Sequence, residues 1–155
     1  MGERGVRRSI LLLVSSMSAG GRSVRLGPRI VRILRGGGWE VAVRLTTPGD
    51  DPAALAAQVA SDSIVAALGG DGYLGAVARG CHDSGALFVP FPGGRGNDLC
   101  RALGIGTDPL ARARDVASLG FVSGTAGDEA VAGRARRATD ALASRGRPVD
   151  GMWVR

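Results

Sequence analysis

The sequence contains no lysine, and all 20 of its basic residues are arginine. This absence excludes a Walker-type phosphate loop and a Schiff-base centre, since both depend on a lysine side chain. Histidine and asparagine each occur once, as His82 and Asn97. An anionic ligand must therefore be held by arginine, by backbone N–H groups or through a metal ion.

Aromatic residues, cysteines and long apolar runs are scarce as well. Aromatic side chains make up 4% of the chain, which argues against base-stacking surfaces for RNA or single-stranded DNA. Cys81 and Cys100 form no C-x-x-C pair, so we expect free, buried thiols rather than a disulfide or a zinc site. The longest apolar run near the N-terminus, residues 10–14, is too short for a membrane span or a secretory leader. We therefore expect a cytoplasmic protein.

Positive charge is abundant. The formal net charge is +6 and the pI is about 11.1, which favours anionic partners such as a nucleotide, a phospholipid surface or nucleic acid. Residues 22–35 have helical periodicity, and one face of that helix carries Arg22, Arg25, Arg29 and Arg32. This stripe is either a solvated helix face or a peripheral contact with the inner face of the membrane. We do not expect nucleic acid as a partner, because aromatics are so few.

Hydrophobic patterning predicts a regular alternation of strands and helices up to Asp108. The predicted strands cover residues 9–14, 39–46, 63–68 and 86–91. The predicted helices cover residues 22–35, 53–60, 73–83 and 97–103. The connections between them are short, so the pattern predicts a doubly wound α/β fold with a mostly parallel sheet.

The pattern weakens after Asp108. Helices are predicted at residues 110–119 and 129–144, with a loop of small residues at 120–127 and one short strand at 149–154. We therefore divide the chain into an α/β domain at residues 9–109 and a helical, poorly defined extension at residues 110–155.

A glycine-rich segment follows the third predicted strand: Gly69-Gly70-Asp71-Gly72. In parallel sheets, ligands bind beyond the carboxyl ends of the strands, where glycines let backbone N–H groups approach phosphate oxygens. Asp71 cannot bind a phosphate directly because like charges repel, but it can do so through Mg²⁺. The alternative is an ordinary strand–helix turn in which Asp71 caps the helix.

A second glycine-rich segment, residues 92–101, follows the next predicted strand. The loop in this segment ends with Asn97-Asp98, and this pair is suited to capping the helix that follows. Because the two segments follow neighbouring strands of a parallel sheet, we expect them to face one crevice.

Together the two segments resemble the diacylglycerol kinase catalytic-domain family, which includes bacterial lipid kinases and sphingosine and ceramide kinases. The family pattern is a strand followed by GGDGT and, one strand later, P-x-G-T-x-N-D-x-x-R. The matching residues are Gly69, Gly70, Asp71, Gly72, Pro92, Gly94, Asn97, Asp98 and Arg101. The resemblance covers residues 10–109, and residues 147–150 are similar to the segment where family members enter their second domain.

The resemblance implies that residues 9–109 form an ATP-binding domain with an NAD kinase/diacylglycerol kinase-like fold. The family transfers the γ-phosphate of ATP to a lipid hydroxyl, with Mg²⁺ as cofactor. By resemblance, the phosphates and the metal ion lie around Gly69, Gly70, Asp71 and Gly72, and Asp71 is the metal ligand. The other wall of the cleft would be formed by Gly94, Gly96, Asn97 and Asp98.

The chain departs from the family pattern at four places. Ser15-Ser16 stands where Asn-Pro is usual, Tyr73 and Arg95 replace the threonines of the two motifs, and Gly75 stands where an asparagine is usual. The family's β-rich second domain, which carries the lipid contacts and the acidic base, has no counterpart in residues 110–155. We therefore assign no catalytic residue and expect the isolated chain to be inactive, unless a homodimer or a separate second-domain chain completes it.

Two alternative functions stay open. An NAD kinase-like ATP-binding protein shares the GGDG motif, although residues 96–98 fit the lipid kinases better. A noncatalytic basic module for anionic phospholipid or nucleic acid would account for the pI and the arginine stripe.

Overall fold

The computed structural model of the chain describes residues 9–119, 147–149 and 152–154. Four parallel strands form its main sheet: β1 (Ser9–Ser15), β2 (Glu40–Thr46), β3 (Ile64–Gly69) and β4 (Leu87–Pro92). Their spatial order is β2-β1-β3-β4, so the chain builds outward from β1 in one direction and then, from β3, in the other. This is the doubly wound arrangement, and the prediction of a parallel α/β sheet is confirmed.

The helices lie within a few residues of their predicted positions. They are α1 (Arg22–Gly36), α2 (Pro52–Ala57), α3 (Asp71–Ser84), α4 (Asp98–Ala102) and α5 (Pro109–Ala117). Asp51 caps α2, because its Oδ1 accepts hydrogen bonds from the N–H groups of Ala53 and Ala54 at 3.0 and 3.2 Å. Asp108 caps α5 in the same way.

Two apolar layers sandwich the sheet, because successive side chains of a strand point to opposite faces. On one face Ile10, Leu12 and Val14 of β1 pack in the same cluster as residues of α1 and α5. On the other face Leu13 belongs to a cluster with Val65 of β3 and residues of α2, α3 and α4. Both faces are buried, which explains why the strands read as continuous apolar runs.

Pro28 lies inside α1 rather than in its first turn. It has no N–H for the carbonyl of Val24, the residue four positions earlier, so that carbonyl has no helical partner. Val24 and Pro28 are both exposed, so water can reach the freed carbonyl. The helix therefore continues through the proline to Gly36.

The helix α5 packs against α1 and β4. Ala113 and Val116 lie in the same core cluster as β1, and the Trp39 indole Nε1 donates to the Val116 carbonyl at 3.0 Å. Among the described residues, no helix is long and apolar enough to cross a membrane.

The last described residues form two short strands rather than the single strand predicted at 149–154. They are β5 (Arg147–Val149) and β6 (Met152–Val154), and they pair antiparallel. A single extended strand is not possible because the chain reverses direction between them. The loop predicted at residues 120–127 and the helix predicted at 129–144 lie outside the described residues.

Candidate functional site

The two glycine-rich segments meet at the carboxyl edge of the sheet. Gly69 and Pro92 are register partners at the ends of β3 and β4, and the Gly93 N–H donates to the Gly69 carbonyl at 2.9 Å. A Cβ atom added to Gly94 would lie 2.6 Å from the Cα of Gly70. Only glycine therefore allows the two loops to pack against each other so closely.

Asp71 links the two loops through its carboxylate. Its Oδ2 accepts a hydrogen bond from the N–H of Asp98 at 3.1 Å, and its Oδ1 accepts one from the N–H of Leu99 at 2.9 Å. These donors belong to the first turn of α4, so Asp71 acts as the N-terminal cap of a helix that follows a different strand. The alternative that Asp71 caps its own helix is wrong, because Gly70 holds the N-cap position of α3.

Asn97 holds the N-cap position of α4, but its side chain closes its own loop instead of capping the helix, which corrects the capping prediction for this residue. Its side chain is 4% exposed and its φ is 55°, a left-handed conformation that asparagine tolerates better than most residues. The amide Oδ1 accepts from the Gly94 N–H at 3.0 Å, and Nδ2 donates to the Gly94 carbonyl at 3.2 Å. Asp98, the next residue, is exposed.

The N-terminus of α3 offers free donors at this edge. The Gly70 N–H donates to Ser18 Oγ at 3.1 Å, and the first donor inside the helix is Leu74, which bonds the Gly70 carbonyl. Between these two donors lie the N–H groups of Asp71, Gly72 and Tyr73. Within the described residues, no N-cap side chain accepts a hydrogen bond from them. Together with the positive end of the helix dipole, these groups form a favourable place for an anion.

Three residues that the sequence alone did not indicate also lie at this edge, one in the turn before α1 and two in the first turn of α1. Ser18 holds Gly70, the Arg22 Nη1 donates to the Gly94 carbonyl at 3.3 Å, and Ser23 Oγ donates to the Gly93 carbonyl at 3.4 Å. The sequence predicts Arg22 on a stripe that is either solvated or in contact with a membrane, whereas its guanidinium contacts the second loop. The available signal was that β1 also ends at this edge, beside β3.

Tyr73 reaches across the end of β1. Its ring packs against Gly69, where an added Cβ would lie 2.6 Å from Tyr73 Cδ1. Its hydroxyl lies 2.9 Å from Thr46 Oγ1 at the end of β2. Thr46 uses its own hydrogen on the Val14 carbonyl at 3.2 Å, so Tyr73 is the donor of the pair. Burial raises the pKa of the Tyr73 hydroxyl, which keeps it protonated and able to donate.

The carboxylates of Asp71 and Asp98 flank Gly96. A Cβ on Gly96 would lie 3.6 Å from Asp71 Oδ2 and 3.7 Å from Asp98 Oδ2. Among the described residues, no group of three or more acidic, histidine or cysteine side chains could hold a metal ion by itself. Magnesium ions are, however, commonly bound by one or two carboxylates together with substrate phosphates and water, and this pair fits that pattern.

The comparisons with known proteins agree with this architecture. The sequence profile of the diacylglycerol kinase catalytic domain matches residues 9–122. The chain belongs to this family. Among curated proteins, none matches the sequence.

Two solved structures from Bacillus anthracis str. Sterne share the kinase fold with this chain. A diacylglycerol kinase is 22% identical with a TM-score of 0.62, and the match covers 74% of this chain and 41% of that protein. A second structure, provisionally assigned as a diacylglycerol kinase, is 23% identical with a TM-score of 0.63 and covers 72% and 39%. The chain thus spans about two fifths of the length of these relatives.

Three of the four departures from the kinase pattern have a structural consequence. Tyr73 covers the end of β1, as described above, and Arg95 adds an exposed positive side chain to the second loop. Ser15 is buried, and its Oγ accepts from the Met17 N–H at 3.3 Å. The Ser16 N–H donates to the Thr46 carbonyl at 3.3 Å, so the serine pair continues the contact between β1 and β2.

Proposed function

We propose that this chain binds ATP at the junction of its two glycine-rich loops, as the nucleotide-binding part of a lipid kinase. The observation that supports the proposal is the open N-terminus of α3, which lies beside the second loop. This helix follows β3, next to the point between β1 and β3 where the strand order reverses. Ligands of doubly wound sheets bind at this position. Family membership supports a kinase function for it.

The phosphates of ATP would lie on the N–H groups of Asp71, Gly72 and Tyr73. Nothing lies within 4 Å of a Cβ added to Gly72, so this turn has room for a ligand to approach the backbone. Arg95 is exposed on the facing loop and supplies the positive charge that lysine supplies in other phosphate sites. Gly94, Gly96, Asn97 and Asp98 would form the opposite wall.

Asp71 and Asp98 would hold Mg²⁺ between their carboxylates and the phosphates. When bound, the ion neutralises charge on the phosphate oxygens during transfer. Each oxygen of Asp71 accepts one N–H and keeps a further lone pair, so the carboxylate can cap α4 and bind the ion together. The acceptor would be a lipid hydroxyl, by analogy with the family.

Calorimetric titration with Mg-ATP tests the proposal. We expect a Kd on the order of 0.1–1 mM, because this chain spans only part of a closed kinase cleft. The Asp71→Ala variant should lose binding. Equal heats for both proteins, or no heat for the wild type at millimolar ATP, would exclude the proposed site.

Asp108→Ala is the matched control for the loss of a helix cap. Asp108 Oδ1 accepts from the N–H groups of Leu110 and Ala111, much as Asp71 accepts from two N–H groups of α4. Both variants should lose about 1 kcal/mol of stability, but only Asp71→Ala should lose ATP. Repeating the titration at higher salt separates a cleft site from a charge-driven surface, whose affinity falls steeply with salt.

A further inference from the structure

The outer edge of β4 is blocked against further strand pairing. The Leu87 N–H donates to Ser63 and the Gly93 N–H to Gly69, so the odd-numbered residues of β4 face β3 and the even-numbered ones face outward. Two of the outward residues, Pro90 and Pro92, have no N–H to donate. The Arg112 Nε also donates to the Pro90 carbonyl at 3.2 Å.

The outer edge of β2 is less protected, because it contains no proline and keeps its outward N–H groups. An arginine bonds one outward carbonyl on each edge, at Val41 of β2 and at Pro90 of β4. The Thr46 carbonyl accepts a hydrogen bond from the Ser16 N–H, so it points towards β1. The Val41 carbonyl accepts one from Arg35 Nη2 at 3.0 Å, so it points away from the sheet. Because backbone groups alternate along a strand, Val43 and Leu45 also direct their N–H and C=O groups outward. In the part of the chain that the structure describes, no strand lies on this side of β2.

An apolar groove runs between this edge and α1. Its volume is about 580 Å³. Its apolar lining includes Val24, Pro28, Val31, Val43 and Leu45, and Arg32 and Arg35 also line it. Val43 and Leu45 are 48% and 49% exposed, which is unusual for large apolar residues on the face of a sheet that carries a helix. An unpaired edge that is also apolar is a site where another strand can add.

We propose that the occupant is the β2 strand of a second copy of this chain, paired antiparallel and centred on Val43. In this register Val43 faces Val43 of the partner subunit, and Val41 faces Leu45 of the partner subunit. The other face pairs Ala42 with Arg44 of the partner subunit, which puts Glu40 on the diagonal from that arginine. In this register the apolar residues of the edge face one another, and Arg44 lies near a residue of opposite charge, Glu40.

The charges also select the register. A shift that centres the pair on Arg44 would place two arginines directly opposite each other, which is destabilising. It would also remove Val41 from the paired segment. The Val43-centred pair keeps the apolar residues together and lets each Arg44 approach a Glu40, although the whole chain carries a net charge of +6.

Pairing at β2 would join the two four-stranded sheets into one continuous sheet. The two grooves would then close over the central valines, and both α1 helices would lie on the same face. The candidate nucleotide site lies at the ends of β3 and β4, on the far side of β1, so each copy keeps its site open. The inference is independent of the proposed function.

Cysteine cross-linking tests the register. Residues in a hydrogen-bonded antiparallel pair have Cα atoms about 5.5 Å apart, within the range of a disulfide, so Val43→Cys should give a covalent dimer under mild oxidation. Leu45→Cys is the matched control, since the two substituted residues would be separated by about 13 Å along the strands. The native Cys81 and Cys100 are buried and should not compete.

Sedimentation of the unmodified chain tests the dimer itself. We expect twice the chain mass of 15.8 kDa at about 100 µM protein, with a Kd on the order of micromolar. Val43→Asp should sediment as a monomer. Arg44→Glu should weaken the dimer about tenfold, and Glu40→Arg combined with Arg44→Glu should restore it.

Asp50→Ala controls for the ion pair within one chain, in which Arg44 Nη2 lies 3.2 Å from Asp50 Oδ1. It should leave the dimer intact. A wild-type monomer at about 100 µM, or equal cross-linking of Val43→Cys and Leu45→Cys, overturns the proposal. A monomer that floats with phosphatidylglycerol vesicles through Val43 also overturns it, because the groove is then a membrane contact.

Discussion

Tyr73 shows how one side chain can change a shared motif. A threonine at this position would leave the end of β1 uncovered, whereas the tyrosine ring crosses it and hydrogen-bonds Thr46. A nucleotide bound between β1 and β3, where the strand order reverses, must share this space with the ring. The hydrogen bond must therefore break, or the ring must move, before the crevice is fully open.

Replacement of Tyr73 by threonine is expected to tighten Mg-ATP binding. The hydrogen bond to Thr46 is worth about 1 kcal/mol, so removing the need to break it corresponds to a roughly fivefold lower Kd. Tyr73→Phe, which keeps the ring and loses the hydroxyl, should give a smaller gain. Calorimetry on the three proteins measures the difference, and an unchanged or weaker affinity for Tyr73→Thr would rule out steric crowding.

The two cysteines are expected to be unreactive in the folded protein. Burial raises the pKa of the Cys81 thiol to about 12 and that of Cys100 to about 11, from an ordinary value of 9.0. The neutral thiols therefore contribute stability that is complete below pH 9 and is lost as the pH rises through 11 and 12. Labelling with a thiol reagent at pH 8 should proceed only in denaturant; rapid labelling of the native chain would contradict this prediction.

At the scale of elements, α2 and α3 touch through Gly80. A Cβ at this position would lie 2.1 Å from the Ala53 carbonyl oxygen and 2.7 Å from the Cβ of Ala56. Neither neighbour is the end of a flexible side chain, so a larger residue must push the helices apart. The glycine thus sets the distance between two helices that cover one face of the sheet.

Gly80→Ala should destabilise the fold by about 1–3 kcal/mol, because overpacking outweighs the better helix propensity of alanine. Gly36→Ala in α1 is the matched control, since nothing lies within 4 Å of its added Cβ. That control should be neutral or stabilising by up to about 1 kcal/mol. Urea unfolding measures the change in stability of both variants. Equal effects would show that close packing of α2 against α3 does not cause the destabilisation.

At the scale of the whole molecule, residues 1–155 expressed alone should show no lipid kinase activity. By resemblance to the family, the acidic base and the lipid contacts come from a second domain, and this chain spans about two fifths of the solved relatives. Loss of a positioned base costs roughly 10²–10⁴-fold in rate. Loss of acceptor positioning adds several kcal/mol to the barrier.

Radiolabelled ATP with diacylglycerol, monoacylglycerol, sphingosine and phosphatidylglycerol in mixed micelles checks this prediction. Labelled lipid that forms with the wild type and disappears with Asp71→Ala would refute it. In that case the base must come from this chain, from carboxylates such as Asp128, Glu129, Asp140 or Asp150, or from a second copy.

The sequence by itself determined the fold class and the edge of the sheet at which the two glycine-rich loops meet. Strand and helix periods differ, and the alternation of the two with short connections is compatible with few topologies. Glycines after neighbouring strands could be assigned to one edge of the sheet without knowing any contact. These conclusions depend on local pattern and chain direction, which the order of residues carries directly.

Only the tertiary structure decided how the site is held together. Asp71 and the N–H of Leu99 are 28 positions apart, and Arg22 and the Gly94 carbonyl are 72 apart, so no local pattern records these bonds. The side chain that caps α4 is that of Asp71 and not that of Asn97. Asn97 has a left-handed backbone conformation, and its amide hydrogen-bonds Gly94 instead. The open edge of β2 likewise depends on which strand ends the sheet, and strand order is a property of the assembled fold.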